Sequence, residues 1–209
     1  YEITYGDWSS DVCSSDLGAG ALASTGTSTF AGPISLASNA TIKSDGGTLT
    51  LTGGIAKVGK VLTLSGTGTI VIGGGGITGS TGTGFNSDLV VDGVTVDLDV
   101  ANDYYGPTYI RNGGVLNANV TGALPTANGR TSVTFDGTGS SKLNLGAAQE
   151  IQSLTGVATS QVNLNAYTLT IGTASGTTDF TGTIIGSGGI IKDGRSEEHT
   201  SELQSPYVI

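Results

Sequence analysis

Five aspartates fall within sixteen positions of the chain: Asp88, Asp92, Asp97, Asp99 and Asp103, with Arg111 a short way on. Carboxylates gathered beside a guanidinium suit the cleavage of acidic polysaccharides, and a spaced carboxylate pair is what glycoside hydrolysis requires. Facing carboxylates can instead hold Ca²⁺, which takes about six to eight oxygens. Asp92, Asp97 and Asp99 are the candidates for such a metal site. The spacing also has a plainer reading. Asp97 and Asp99 are two apart, so a strand places them on one face while Val94, Val96 and Leu98 turn to the other. A core on the Val and Leu side leaves the aspartates toward water, where like charges discourage edge pairing. No Asp-Asp dipeptide, no histidine and no glycine-rich calcium nonapeptide accompanies them. The expectation is a solvated acidic face with no catalytic residue, no metal and no cofactor.

Other chemistry-bearing residues are sparser. Gly73-Gly74-Gly75-Gly76 lacks the Lys-Ser/Thr and the following helix of a phosphate cradle, so it reads as a loop. Tyr104, Tyr105 and Tyr109 either form an exposed stacking surface for sugars or cap the core at a loop. Lys43, Lys57 and Lys60 make no dense basic patch, and with no basic run elsewhere a nucleic-acid partner is not expected. Asn117, Asn119, Asn144, Asn163 and Asn165 either stack as amide ladders at turns or serve as ordinary turn formers.

The elements that must position these residues are short strands. Apolar and small polar residues alternate in Thr48–Thr52, Val61–Leu64, Thr69–Ile72, Val94–Val100, Val115–Val120, Thr131–Phe135 and Val162–Asn165. Period two sends one set inward and the other to solvent. Asp45-Gly46-Gly47, Asn112-Gly113-Gly114 and Asp136-Gly137 punctuate the runs as turns. No helical stripe of useful length occurs, and Ala147–Leu154 is ambiguous but short. Many short strands imply a sandwich, a barrel or a solenoid. Aromatic residues are only 6% of the 209-residue chain, while Gly numbers 36. A thin aliphatic core with glycine corners suits a solenoid, whose coils stack about 4.8 Å apart. At roughly 20–25 residues per coil, about eight coils are expected.

The ends differ from the middle. Residues 1–17 and 195–209 hold Trp8, Cys13 and His199, each the single example of its type, and seven of the seventeen acids. Both ends resemble translated sequencing-library adapter: Arg195–Ser205 fit the codons of one strand and Gly6–Leu17 those of its complement. The variable index implied by Ile3–Gly6, reverse-complemented, translates as Pro-Tyr-Val, which stands at Pro206–Val208. They are expected to be non-native tails and are set aside. The body, 18–194, is expected to be an internal segment of a longer protein. It keeps seven bases and ten acids, so only −3 of the formal −9 belongs to it. It has no Cys, which removes any disulfide framework.

Three blocks of the body resemble the autotransporter-associated β-strand repeat. Gly53–Gly66, reading GGIAKVGKVLTLSG, is similar to that family's GGLTKxGxGTLTLSG, with Lys60 and Val61 as departures. Tyr105–Asn117 resembles its next block. Tyr167–Gly172 with Phe180–Lys192 resembles the lead into a further repeat, and Phe30–Leu36 is an earlier echo. The resemblance covers most of 30–192 but is weakest at 73–103. It implies an all-β, right-handed parallel β-helix on the cell surface, with a signal and a C-terminal membrane barrel beyond this segment. Its partners would be neighbouring repeats, and surface glycans or cell-surface ligands met through loops. The expected role is a non-enzymatic passenger or stalk supporting secretion and display. The alternative is a carbohydrate-binding adhesin or a polysaccharide-active enzyme using Asp92, Asp97, Asp99 and Arg111.

Overall fold

The structure, a computed structural model, describes residues 21–79, 88–126, 129–172 and 179–193; the expected tails lie outside the described residues. All regular structure among these residues is β. The first coil carries β1 (Leu22–Ser24), β2 (Ser28–Phe30) and β3 (Ile34–Ser35), and the second β4 (Ala40–Ser44), β5 (Thr48–Leu51) and β6 (Ile55–Ala56). Next come β7 (Leu62–Gly66), β8 (Thr69–Ile72) and β9 (Ile77–Thr78). Two coils then have two strands each: β10 (Leu89–Asp92) with β11 (Thr95–Leu98), and β12 (Thr108–Arg111) with β13 (Val115–Ala118). The sixth holds β14 (Ser132–Asp136), β15 (Lys142–Leu145) and β16 (Gln149–Ile151), and the seventh β17 (Ser153–Thr155), β18 (Gln161–Asn163) and β19 (Leu169–Gly172). Phe180, β20 (Thr183–Ile185) and β21 (Ile190–Asp193) make the last rung.

Each of the seven coils returns one strand to the first side and one to the second, a step of three strands where the coil before has a third-side strand and of two where it has none. The first side is a seven-stranded sheet, β1-β4-β7-β10-β12-β14-β17, and the second an eight-stranded sheet, β2-β5-β8-β11-β13-β15-β18-β20. The third side is broken into β3-β6-β9 and β16-β19-β21. All pairings are parallel. The fold is a parallel β-solenoid of about seven turns; the eight coils expected correspond to the eight rungs of the second sheet.

Register shows why these residues make these strands. Leu49, Ile70, Val96, Leu116, Leu143 and Val162 align in one inward column of the second sheet. Each is buried to 1% or less, and full burial of such a side chain contributes roughly 1.5–3 kcal/mol. The outward column beside it reads Thr50, Val71, Asp97, Asn117, Asn144, Asn163. Phe135 and Phe180, with ring centroids 5.9 Å apart, fill the first-side column near the C-terminal end.

The corner between the first two sides needs left-handed backbone. Asn112 (φ 55) and Gly113 (φ 80) are the centre of a turn closed by the Gly114 amide donating to the Arg111 carbonyl at 2.9 Å, the Asn-Gly pair that a type I′ turn favours. At the corner between the second and third sides, a Cβ on Gly53 would overlap the Gly32 carbonyl of the preceding coil. Coil length varies chiefly at the remaining corner. Five residues join β6 to β7, whereas ten join β9 to β10.

Candidate functional surface and a buried lysine

The structure distributes the five aspartates over the three sides. Asp92 closes β10 on the first side, where its register partner is Arg111 of β12. The Arg111 Nε lies 3.2 Å from Asp92 Oδ2, and Asn112 Nδ2 donates to Asp92 Oδ1 at 2.7 Å. Asp97 stands on the outward face of β11, where Asn117 Nδ2 donates to its Oδ1 at 2.6 Å. Asn144 Nδ2 in turn donates to Asn117 Oδ1 at 2.7 Å. Asp99, just past β11, accepts from Asn119 Nδ2 at 2.6 Å. As the alternation requires, Val94, Val96 and Leu98 are buried behind them. Asp88 precedes β10, and Asp103 lies on the third side, its backbone amide donating to the Ile77 carbonyl at 2.8 Å. Among the described residues, no three His, Cys, Asp or Glu side chains gather to hold a metal.

The amide ladder forms, but on strands rather than turns. Asn117, Asn144 and Asn163 are outward residues of β13, β15 and β18 in register with Asp97. Its bonds all point one way, each amide nitrogen donating toward the preceding coil, and the row ends on a carboxylate that accepts without donating in return. Asn163 turns aside and accepts from the Asn165 backbone amide at 3.0 Å. Asn165 serves a turn, with φ 49 and its Nδ2 donating to the Leu145 carbonyl.

The tyrosines separate. Tyr104 is buried, so it is a core residue and not part of a sugar-stacking surface. Its ring is inward because its hydroxyl finds a polar partner there: it shares a 2.7 Å hydrogen bond with Thr108 Oγ1, which in turn meets Thr131 Oγ1 at 2.9 Å. Tyr105 is 39% exposed and Tyr109 half-buried.

The interior also holds a cation, Lys57, one of the three lysines expected only to make no dense basic patch. Lys57 is 0% exposed, with its Nζ 4.9 Å from the centroid of the Tyr104 ring. Desolvation lowers its pKa to about 8, against the opposing pull of Asp88. Asp88 is raised by partial burial and lowered by Lys57, and burial raises Tyr104 despite its hydroxyl partners. The signal was present in the phase of the alternation: Ile55 inward and Ala56 outward put Lys57 inward.

Two buried amides, also missed, replace the ladder where the third side has no strand. Asn102 Oδ1 accepts from the Ile77 amide at 2.7 Å, and its Nδ2 donates to the carbonyls of Ala123 and Val100. Gln149 Oε1 accepts from the Leu124 amide and its Nε2 donates to the Val120 carbonyl. Nearby, Arg130 bridges the last three coils, bonding Glu150 at 2.7 Å, the Gly172 carbonyl at 3.3 Å and Asp193 at 2.8 Å.

Chemically, this arrangement satisfies its own charges. Asp92, Asp97 and Asp99 each accept from an amide of the following coil, and the polar surface works as inter-coil bonding. Comparison with protein-family models, curated proteins and solved structures returns no significant match.

Proposed function

We propose that this chain is a structural β-solenoid segment, a passenger or stalk that supports secretion and displays another part of its protein at the cell surface. The observation that carries the reading is the second sheet: eight strands in one unbroken parallel ladder, flanked by outward carboxylates bonded to the next coil instead of being left for a substrate. Such a stack has the nearest-neighbour construction of repeat proteins, in which each coil templates the next. The resemblance of Gly53–Gly66 and Tyr105–Asn117 to the autotransporter-associated repeat supports surface location. In that reading the membrane is met only through a barrel outside this segment.

The test places 18–194 between a secretion leader and an outer-membrane barrel in a Gram-negative host, with an epitope on its N-terminal side. Protease access to the epitope on intact cells is expected, and its loss is expected when Leu116→Asp breaks the core. Display indifferent to that substitution would overturn the scaffold role. Depolymerisation of an acidic polysaccharide by the purified chain, abolished by Asp92→Ala, would establish the enzymatic alternative instead.

A further inference from the structure

One turn of the stack holds a pair of residues that can react with each other, and the neighbouring coils hold that pair still. Asn112-Gly113 sets a side-chain carboxamide next to an amide nitrogen that no Cβ of its own residue shields. The same corner, between the first and second sides, carries Asp-Gly at Asp45, Asp92 and Asp136. Among the described residues, Asn112-Gly113 is the one such pair with an amide to lose. Three hydrogen bonds immobilise it. Asn112 Nδ2 donates to Asp92 Oδ1 of the preceding coil at 2.7 Å, and Asn112 Oδ1 accepts from the Thr138 amide of the following coil at 3.3 Å. The Gly113 amide donates to Ser141 Oγ, also of the following coil, at 3.2 Å, and Ser141 is buried. Two glycines let that coil approach: a Cβ on Gly137 would fall 2.6 Å from Asn112 Oδ1, and one on Gly139 2.9 Å from the Gly113 nitrogen. Asn112 itself is exposed, so water reaches it.

We infer that Asn112-Gly113 is a self-modification site gated by the coil stack, deamidating when this corner opens and then keeping it from closing as before. On opening, the Gly113 nitrogen gives its proton to solvent base and attacks Asn112 Cγ. The Cγ–Nδ2 bond breaks, Nδ2 takes up a proton and leaves as ammonia, and a cyclic succinimide remains. Water then adds to either ring carbonyl and leaves aspartate or isoaspartate at position 112. Aspartate puts a carboxylate where Nδ2 met Asp92 Oδ1, so attraction becomes like-charge repulsion. Isoaspartate routes the main chain through the side-chain carbon and lengthens a turn that Gly139 packs against. The closed corner holds both reacting groups on other partners, so local opening sets the rate. The inference requires only the solenoid, not the display role, so either can fail alone.

The full chain is held in mildly alkaline buffer, folded and in urea, and mapped by tandem mass spectrometry. Fragmenting the tryptic peptide that begins at Asn112 separates it from Asn128 in the same peptide. Each net hydrogen bond corresponds to a factor of about five, so the three make folded conversion of Asn112 slower than in urea by about a hundredfold. Ser141→Ala removes one of them and is expected to raise the folded rate about fivefold while leaving the rate in urea unchanged. Asp92→Ala frees Nδ2 and serves as the second variant if Ser141→Ala loses its β-sheet circular dichroism. The thermal midpoint is expected to fall as conversion proceeds, and that of Asn112→Ser, which has no ammonia to release, to hold over the same period. Folded conversion as fast as in urea, no acceleration in the folded variant, or converted protein with an unchanged midpoint would each overturn the inference.

Discussion

Lys57 carries its charge inside the core, where burial disfavours the charged form, and this makes stability depend on pH with a definite sign. Its folded pKa, about 8, lies below the ordinary 10.5. Between those values the unfolded chain holds the extra proton, so stability rises with pH across that interval. A shift of that size corresponds to about 3 kcal/mol. Tyr104 acts the other way: its folded pKa is raised above the ordinary 10.0, so the unfolded chain loses its proton first and stability falls above that point. Thermal midpoints are expected to climb from pH 8 to about 10 and then decline. Lys57→Met is expected to flatten the climb and leave the decline. Val58 is the other unusual residue. It sits at φ 48 in a turn closed by Lys60 N donating to Lys57 O at 3.0 Å, with its side chain 57% exposed. A β-branched residue in the left-handed region is strained by roughly 1–2 kcal/mol. Val58→Asn is expected to raise the denaturant midpoint by about 1 kcal/mol of stability, and an unchanged midpoint would show that the strain is absorbed elsewhere. The equivalent turn at Asn112-Gly113 is legible from its dipeptide; Val58-Gly59 is not, because nothing in valine announces positive φ.

Strands of the first two sides were legible because their alternation is regular and their glycine corners recur. Thr48–Leu51, Thr69–Ile72 and Val115–Ala118 lie within the expected runs, and ambiguous Ala147–Leu154 contains β16 and most of β17. The third side was much less legible. Between Asp99 and Pro107, and between Asn119 and Pro125, no strand forms, and buried side-chain amides do the stitching that backbone does elsewhere. Period-two counting cannot find a residue whose role is to bond main chain across coils. Asn102→Ala should therefore cost more than Asn117→Ala. The first strips partners from the buried Ile77 amide and Ala123 carbonyl, about 1–3 kcal/mol for each group left unsatisfied. The second removes one member of a half-exposed row that water can replace, about 1 kcal/mol. Urea unfolding of both variants checks the order, and equal losses would mean that water reaches the Asn102 site.

Over the whole molecule, a single narrow core runs from Leu22 to Leu169, and its stability is a sum of neighbouring contacts. The tails resembling adapter are proposed to add nothing to that sum. Deleting 1–17 and 195–209 is expected to leave the thermal midpoint unchanged, and a drop of several degrees would give them a structural role. Arg130 is the exception to nearest-neighbour behaviour, since its guanidinium joins β16, β19 and β21. Its value was hidden in the sequence because Glu150 and Asp193 stand 20 and 63 residues away along the chain.

The unequal spans at one corner carry a practical meaning. Five residues suffice to pass from the third side to the first, yet a neighbouring coil uses ten, and the columns on either side keep their alignment. The longer connection there leaves the phase of the flanking strands unchanged. That edge is accordingly where a foreign peptide can be grafted and presented at a chosen height, in steps of about 4.8 Å per coil, on a rod that continues to fold around its own core.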